Sequence, residues 1–121
     1  MKLISTKICK TSDIGVNENL FGGIMLSWLD EAGGIMAACV CKSPNVITLK
    51  MDEVLFKKPV KVKQHIRIYG KTEHIGHTSV SLYLEARRND LESNEEEVVC
   101  STKMLFVKID QNGKPSPIAG H

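Results

Sequence analysis

One stretch decides the fold, IMLSWLDEAGGIMAACV, residues 24–40. It has no proline, it is longer than a normal strand, and most of its side chains are apolar or small. The pattern predicts a helix over residues 23–41. The apolar side chains are distributed nearly all round the axis of the predicted helix, which favours a helix covered by other structure. A membrane span is the alternative, but a charged residue near the bilayer centre costs about 2.5–3.5 kcal/mol, so we reject it.

Two adjacent acids, Asp30 and Glu31, interrupt this stretch. In a covered helix both would lose water, so at least one carboxylate needs a partner or a chemical role. We take Asp30 as the centre of a reaction site and expect Glu31 to pair with a lysine or to face a polar interface. Gly33 and Gly34 each weaken a helix by roughly 1 kcal/mol relative to alanine. We attribute them to close packing against strands or a neighbouring subunit.

After the helix, the hydrophobic period changes to that of strands. Strands are predicted over residues 46–56, 65–75, 79–86 and 98–109, with a bulge near Asp52-Glu53 and a hairpin turn at Gly76-His77. Residues 2–10 add an edge strand. The order of one strand, a helix and four strands predicts an α+β fold. We expect one domain over residues 1–110 and a loose tail over residues 111–121.

Composition excludes several classes of function. A net charge of +2 and 5% aromatic residues in 121 do not favour a nucleic-acid surface. The four cysteines lack zinc-site spacing, and Cys39 and Cys41 are expected to be small buried residues. Because the first residues lack a signal-peptide pattern, we expect a cytoplasmic protein that binds neither a metal nor a membrane.

Three motifs resemble those of the hotdog-fold acyl-CoA thioesterases, and the YciA-type and brain-type acyl-CoA hydrolases are the most similar. The resemblance extends over most of the chain. Its most specific part is the Asn-x-x-Gly-Gly turn followed by a helical acid. The motifs are Asn17-Glu18-Asn19-Leu20-Phe21-Gly22-Gly23, Leu26-Ser27-Trp28-Leu29-Asp30 and Val54-Leu55-Phe56-Lys57-Lys58-Pro59-Val60.

The resemblance implies a curved antiparallel sheet wrapped around one long central helix, and hydrolysis of an acyl-CoA to the free acid and CoA. It implies no cofactor beyond the coenzyme A of the substrate. The family's helical carboxylate falls on Asp30, which acts as general base on water or attacks the carbonyl directly. Asn19 would hold the attacking water or the carbonyl. Gly23 would present backbone N–H groups at the helix start to the developing oxyanion, and Gly22 would let the substrate approach closely.

The phosphates of coenzyme A require local cations and backbone donors. Lys57, Lys58 and the segment His77-Thr78-Ser79 are candidates. The resemblance places the two lysines at the basic strand end and matches Thr78 and Ser79 to the family's turn-to-strand segment. Arg87-Arg88 is a further candidate. Each has a plainer interpretation, because a lysine is commonly a solvated surface charge. Asn19 is equally suited to a helix N-cap or a turn.

One chain does not provide a complete site by this pattern. If the helix begins near Gly23, Asp30 lies two turns further on, on the order of 10 Å from the first N–H groups. A second subunit would bring its own helix start to Asp30, in agreement with the family's homo-oligomers, which share active sites in a dimer and also form trimers of dimers. Two alternatives are a non-catalytic acyl-CoA binding or sensing protein and a hotdog hydratase or dehydratase. The latter needs a catalytic histidine, and residues 12–40 contain none.

Overall fold

The computed structural model describes every residue, Met1–His121. Five strands form one antiparallel sheet in the order β1-β3-β4-β5-β2, which leaves β1 and β2 at its edges. One long helix packs on this sheet, so the predicted α+β architecture is confirmed. In chain order the elements are β1 (Lys2–Ile8), a 3-10 helix (Thr11–Asp13), α1 (Gly22–Cys41), β2 (Val46–Phe56), β3 (His65–Ile75), β4 (Ser79–Asn89) and β5 (Glu96–Lys108).

The helix α1 has 20 residues and ends where the chain turns left-handed. Phe21 is its extended N-cap and makes no side-chain capping bond. At the other end Lys42 adopts φ 53°, and its N–H donates to carbonyls of the last turn. Spacing of three or four residues puts one face against the sheet. The buried residues of that face are Met25, Leu29, Ala32, Gly33, Ala37 and Cys41.

The opposite face of α1 is open in this chain. Ile35 is 47% exposed, and Asp30, Glu31 and Cys39 are exposed as well. The prediction of a helix covered on all sides is therefore wrong for the single chain, as is the burial of Cys39. A hydrophobic pattern all round a helix predicts that the helix is covered, but it does not tell whether the same chain or a second chain covers it. The helix is long and apolar enough for a membrane span, but its packed face forms the core of this domain.

The strands follow the predicted alternation closely. In β4 every second residue from Val80 to Ala86 has no exposed surface, and the residues between them are half-buried. The bulge predicted in β2 is present: the pairing of β2 with β5 shifts between Asp52 and Leu55, and Glu53 adopts φ 49°. Edge strand β2 exposes large apolar side chains, at 44% for Ile47 and 57% for Leu49.

The predicted loose tail instead packs on the domain. Ile118 is 2% exposed, and its N–H donates to the carbonyl of His77 at 2.8 Å. The N–H of Ser116 donates to the carbonyl of Lys108 at 2.8 Å, and Lys108 Nζ donates to the carbonyl of Pro117 at 2.9 Å. Residues 111–121 contain one large apolar residue, Ile118, among residues typical of turns. The segment was therefore predicted to be a loose tail.

Candidate active site

Asp30 lies on the exposed side of α1, above the start of β2. Thr48 Oγ1 donates to Asp30 Oδ1 at 2.6 Å, within the range of a charge-assisted O–H···O bond. Oδ2 is left without a protein partner. Ser27 does not contribute, since its hydroxyl donates to the carbonyl of Ile24 at 2.7 Å. The carboxylate is thus fixed through one oxygen and offers the other to solvent or to a substrate.

Glu31 turns away from Asp30 toward the opposite sheet edge. Lys7 Nζ lies 2.7 Å from Glu31 Oε1, so the expected pairing with a lysine is confirmed. Both acids are exposed in the single chain, so the expected loss of water is wrong here for the same reason as for the helix as a whole. Successive helix residues do not share a direction, and the two acids therefore contact different strands, Glu31 β1 and Asp30 β2.

A cavity of about 340 Å³ lies where α1 begins and β2 ends; we call it the helix-start cavity. It gathers four of the residues predicted for the site: Asn19, Gly22, Lys57 and Lys58. Asp30 is not among its lining residues. Its wall is otherwise apolar, and this combination of an apolar wall with cationic and amide groups suits an amphipathic anionic ligand. The other lining residues are Leu20, Met25, Phe56, Pro59, Val60 and Val99.

Asn19 ends a tight turn that leads into the helix. Its carbonyl accepts the N–H of Gly15 at 2.9 Å, and its side-chain Oδ1 accepts from Lys61 Nζ. Because Phe21 is the N-cap, Asn19 does not cap the helix; of the two plainer interpretations, the N-cap is wrong and the turn is confirmed. Its half-buried side chain is held at the cavity mouth instead.

The two glycines at the helix start differ in what requires them. A Cβ on Gly23 would lie 2.8 Å from the Phe21 ring, so Gly23 makes room for the residue that starts the helix. A Cβ on Gly22 would lie 3.5 Å from the Phe56 ring, inside the helix-start cavity. The missing Cβ of Gly22 therefore adds space to the cavity, whereas that of Gly23 serves local packing. The backbone N–H groups of both belong to the first turn, which lacks intrahelical acceptors.

The two lysines of the cavity have different partners. Lys58 Nζ lies 3.5 Å from Glu97 Oε1, whereas Lys57 forms no ion pair. Lys57 is tied to the sheet by its backbone, whose N–H donates to the carbonyl of Val99 at 2.8 Å. Lys57 is thus the cation of this pair that is available to an anionic ligand.

The turn of His77, Thr78 and Ser79 lies at the other end of the sheet. Ser79 pairs with Val107, and the neighbouring Lys108 pairs with Val46 at the start of β2. The 11 residues of β2 separate this turn from Lys57 by roughly 30 Å. Here His77 Nδ1 is 2.9 Å from the carbonyl oxygen of His121. One chain therefore does not bring this turn to the helix-start cavity.

Arg87 and Arg88 are held by neighbouring acids. Arg87 Nε lies 2.5 Å from Glu85 Oε2, and Arg88 bonds to Glu97 at 2.8 Å and to the carbonyl of Pro59 at 2.9 Å. A larger cavity of about 560 Å³ lies at the β4–β5 hairpin, but its lining is almost entirely polar or charged, with Leu91 as its one apolar residue. We place the site at the smaller cavity and at Asp30, because apolar surface and one unpaired cation, Lys57, meet in that cavity.

Sequence reasoning missed Thr48 and Lys61. Both touch a predicted site residue across a long sequence separation, 18 residues for Thr48 with Asp30 and 42 for Lys61 with Asn19. A threonine in a β-rich run and a lysine in a polar loop carry no individual signal. Thr48 could have been identified only if the position of β2 relative to α1 had been known.

A single long helix packed on a five-stranded antiparallel sheet is the architecture of the hotdog fold. The carboxylate on the helix and the cavity at its start form the candidate site on that fold. The model of the thioesterase superfamily matches residues 17–94, more than half of the chain. The chain belongs to that superfamily. The resemblance read from the three motifs is thereby confirmed.

Individual relatives agree with this family. An uncharacterized acyl-CoA thioester hydrolase of Bacillus subtilis, YkhA, is 31% identical over 118 residues, which cover 93% of this chain and 68% of that protein. The acyl-CoA thioester hydrolase YciA of Salmonella typhimurium is 25% identical over 97% of this chain and 90% of its own length. An aspartate-to-alanine variant of a hexameric broad-specificity acyl-coenzyme A thioesterase has a TM-score of 0.93 and 25% identity, covering 98% of this chain and 87% of its own.

Proposed function

We propose that this protein hydrolyses an acyl-CoA thioester to the free acid and coenzyme A, with Asp30 as the reacting carboxylate. The observation that carries the proposal is the carboxylate itself, held through one oxygen by Thr48 and open at the other. Membership of the thioesterase superfamily and the acyl-CoA hydrolases among its relatives support it.

The chemistry follows from the free oxygen of Asp30. As a general base it takes a proton from water, the water oxygen bonds to the thioester carbon, the C–S bond breaks, and the thiolate of coenzyme A is protonated. As a nucleophile it bonds to the carbonyl carbon itself, expels the thiolate, and the mixed anhydride is then hydrolysed. After a single turnover in ¹⁸O-labelled water, label in the Asp30 carboxylate would identify the nucleophilic route with water attacking the aspartyl carbon of the anhydride. Trapping of an acyl group on Asp30 by hydroxylamine would identify the nucleophilic route whichever carbon water attacks.

We propose further that the active site is shared by two copies joined along β2. Edge strand β2 has a neighbour on one side only and exposes Ile47, Leu49, Leu55 and Phe56. An antiparallel pair of β2 strands about a twofold axis aligns the start of one with the end of the other. Asp30 of one copy would then face the helix-start cavity of the second.

The same pairing would bring together the two groups of predicted substrate-binding residues. The turn of His77, Thr78 and Ser79 lies beside the start of β2, and Lys57 and Lys58 follow its end. In an antiparallel dimer these groups become neighbours across the interface. We assign Lys57 to a phosphate of coenzyme A because it has no acid partner. Gly22 and Gly23 contribute N–H groups of the helix start toward the carbonyl oxygen.

The remaining elements of the proposal follow the family. Neither a metal nor an organic cofactor takes part, because Asp30 and the helix start supply the base and the oxyanion donors. Such dimers associate as trimers of dimers in the cytoplasm. Light scattering on the purified protein measures the mass of the assembly and hence the number of chains.

The activity test is release of thiol from short, medium, long and aromatic acyl-CoAs, followed with a thiol-reactive dye. Asp30→Asn should lower turnover by about 10²–10⁴-fold. Binding of acyl-CoA without turnover, unchanged by Asp30→Asn, would identify a non-catalytic acyl-CoA binding protein instead. No thiol release from any substrate would refute the enzyme.

The shared site is tested by mixing two inactive variants. Asp30→Asn damages one half of the proposed site, and a double variant, Asn19→Ala with Lys57→Glu, damages the other. After the two proteins are unfolded and refolded together, about one quarter of wild-type activity should return, because half of the dimers are mixed and each has one intact site. No recovery would mean that each site lies within one chain.

A further inference from the structure

We propose that Lys61 is a positioning residue that makes Asn19 a hydrogen-bond donor to the thioester carbonyl; this rests on the proposed function. The sequence left open whether the Asn19 amide holds the attacking water or the carbonyl. Its only side-chain partner is Lys61 Nζ, which contacts Oδ1. An ammonium group has three donors and no acceptor, so the amide oxygen must face it.

Main-chain hydrogen bonds hold the segments of Asn19 and Lys61 next to each other. The residues that adjoin them are joined by a main-chain bond, since the N–H of Leu20 donates to the carbonyl of Val60 at 2.8 Å. Val60 is 3% exposed and anchors this segment in the core. Lys61 itself sits in a turn closed by Gln64, whose Oε1 accepts the Lys61 N–H at 2.8 Å and whose N–H donates back at 3.1 Å. The contact therefore joins two fixed main chains rather than two mobile loops.

The position of the remaining amide group decides its chemistry. Asn19 lines the helix-start cavity together with Gly22. With Oδ1 occupied by Lys61, the NH₂ group is left to face a ligand, and it can only donate. A donor stabilises negative charge on the carbonyl oxygen in the transition state, whereas a hydrogen bond donated to the attacking water would occupy a lone pair on the oxygen that attacks. Asn19 thus joins the N–H groups of the helix start, and Asp30 alone remains to activate water.

Lys61 also has no competing task in the structure. It forms no ion pair with any carboxylate. It is not among the lining residues of the helix-start cavity, whereas Asn19 is. Its ammonium group therefore acts on the substrate through the asparagine and not by contact.

The test compares Lys61→Met, Lys61→Arg and the matched control Lys63→Met. Lys63 is an exposed lysine two residues away whose ammonium has no hydrogen-bond or ion-pair partner, so its loss changes net charge equally. Lys61→Met should lower kcat by about 10-fold with KM nearly unchanged, through loss of alignment. Lys61→Arg, which keeps a donor, should retain most of the activity, and Lys63→Met should match the wild type.

A double variant shows whether Lys61 acts through Asn19. In an Asn19→Ala background, Lys61→Met should cause no further loss. The inference would be overturned if Lys61→Met lowered activity further in that background. It would also be overturned if Lys61→Met raised KM by a factor that becomes smaller as salt is added, since that would identify Lys61 as a direct phosphate ligand. Activity of Lys61→Met equal to the wild type would overturn it as well.

Side-chain amide resonances in an NMR spectrum give a readout that needs no activity. Asn19→Ala assigns the Asn19 NH₂ pair, which should move toward random-coil positions in Lys61→Met and not in Lys63→Met. An unchanged pair refutes the contact even if the wild type hydrolyses nothing. Absence of thiol release with a shifted pair would instead refute the proposed function and leave the contact established.

Discussion

Replacing Gly33 with alanine measures how closely α1 lies on the sheet. A Cβ at Gly33 would lie 2.8 and 2.9 Å from two atoms of the Phe106 ring and 3.0 Å from the Met104 sulfur. Phe106 is 1% exposed, so its ring has no room to retreat. A Cβ at the adjacent Gly34 would meet nothing within 4 Å in this chain. The pair provides the same substitution in two opposite environments.

The expected magnitudes follow from two opposing terms. Gly→Ala favours the helix by up to about 1 kcal/mol at an open position. Overpacking a filled core costs about 1–3 kcal/mol. Gly33→Ala should therefore lower the free energy of unfolding by about 0–2 kcal/mol, and Gly34→Ala should raise it by up to about 1 kcal/mol. In a chain of this size the two melting temperatures should differ by several degrees.

Urea and thermal unfolding at fixed protein concentration, followed by circular dichroism, compare the two variants. Phe106→Leu shortens the ring side chain, and in that background Gly33→Ala should cost less than in the wild type. Gly33→Ala as stable as Gly34→Ala, or the same cost with and without the Phe106 ring, would refute this account of the packing.

Three further predictions concern the site, the pH range and the tail. Thr48→Val should lower kcat by about 10–100-fold through loss of the oriented carboxylate, and Thr48→Ser should retain most of it; equal rates for Thr48→Val and the wild type would show that Asp30 needs no support. Burial raises the pKa of the Cys100 thiol from 9.0 to about 11. The unfolded chain then loses this proton first, so stability should fall by about 2 kcal/mol from pH 9 to pH 11, a fall that Cys100→Ala should reduce in urea titrations. Ile118→Ala should cost about 2–4 kcal/mol of unfolding free energy; a neutral effect would mean that the tail is not packed.

The main elements were readable from sequence because each has its own period. The alternation from Val80 to Ala86 and the long apolar run of α1 do not depend on distant partners, and both agree with the structure. The bulge near Glu53 was readable as a change of parity. These features are local, so local patterns suffice to find them.

The features that were missed depend on contacts between distant segments. The solvation of Asp30 depends on what covers the outer face of α1, and the hydrophobic pattern does not say which chain provides it. The contact of Thr48 with Asp30 depends on the register of β2 against the helix, which a one-residue slip would reverse. The packing of Ile118 depends on one side chain finding a gap beside the turn at His77.

In the proposed dimer, the location of Thr48 on edge strand β2 links the reaction rate to the enzyme concentration. A strand with one neighbour opens more readily than a strand inside a sheet, and Thr48 aims Asp30 from such a strand. Whatever covers the free side of β2 will also steady the carboxylate. Dilution of the enzyme should therefore lower its specific activity, and concentrated enzyme should have the higher specific activity.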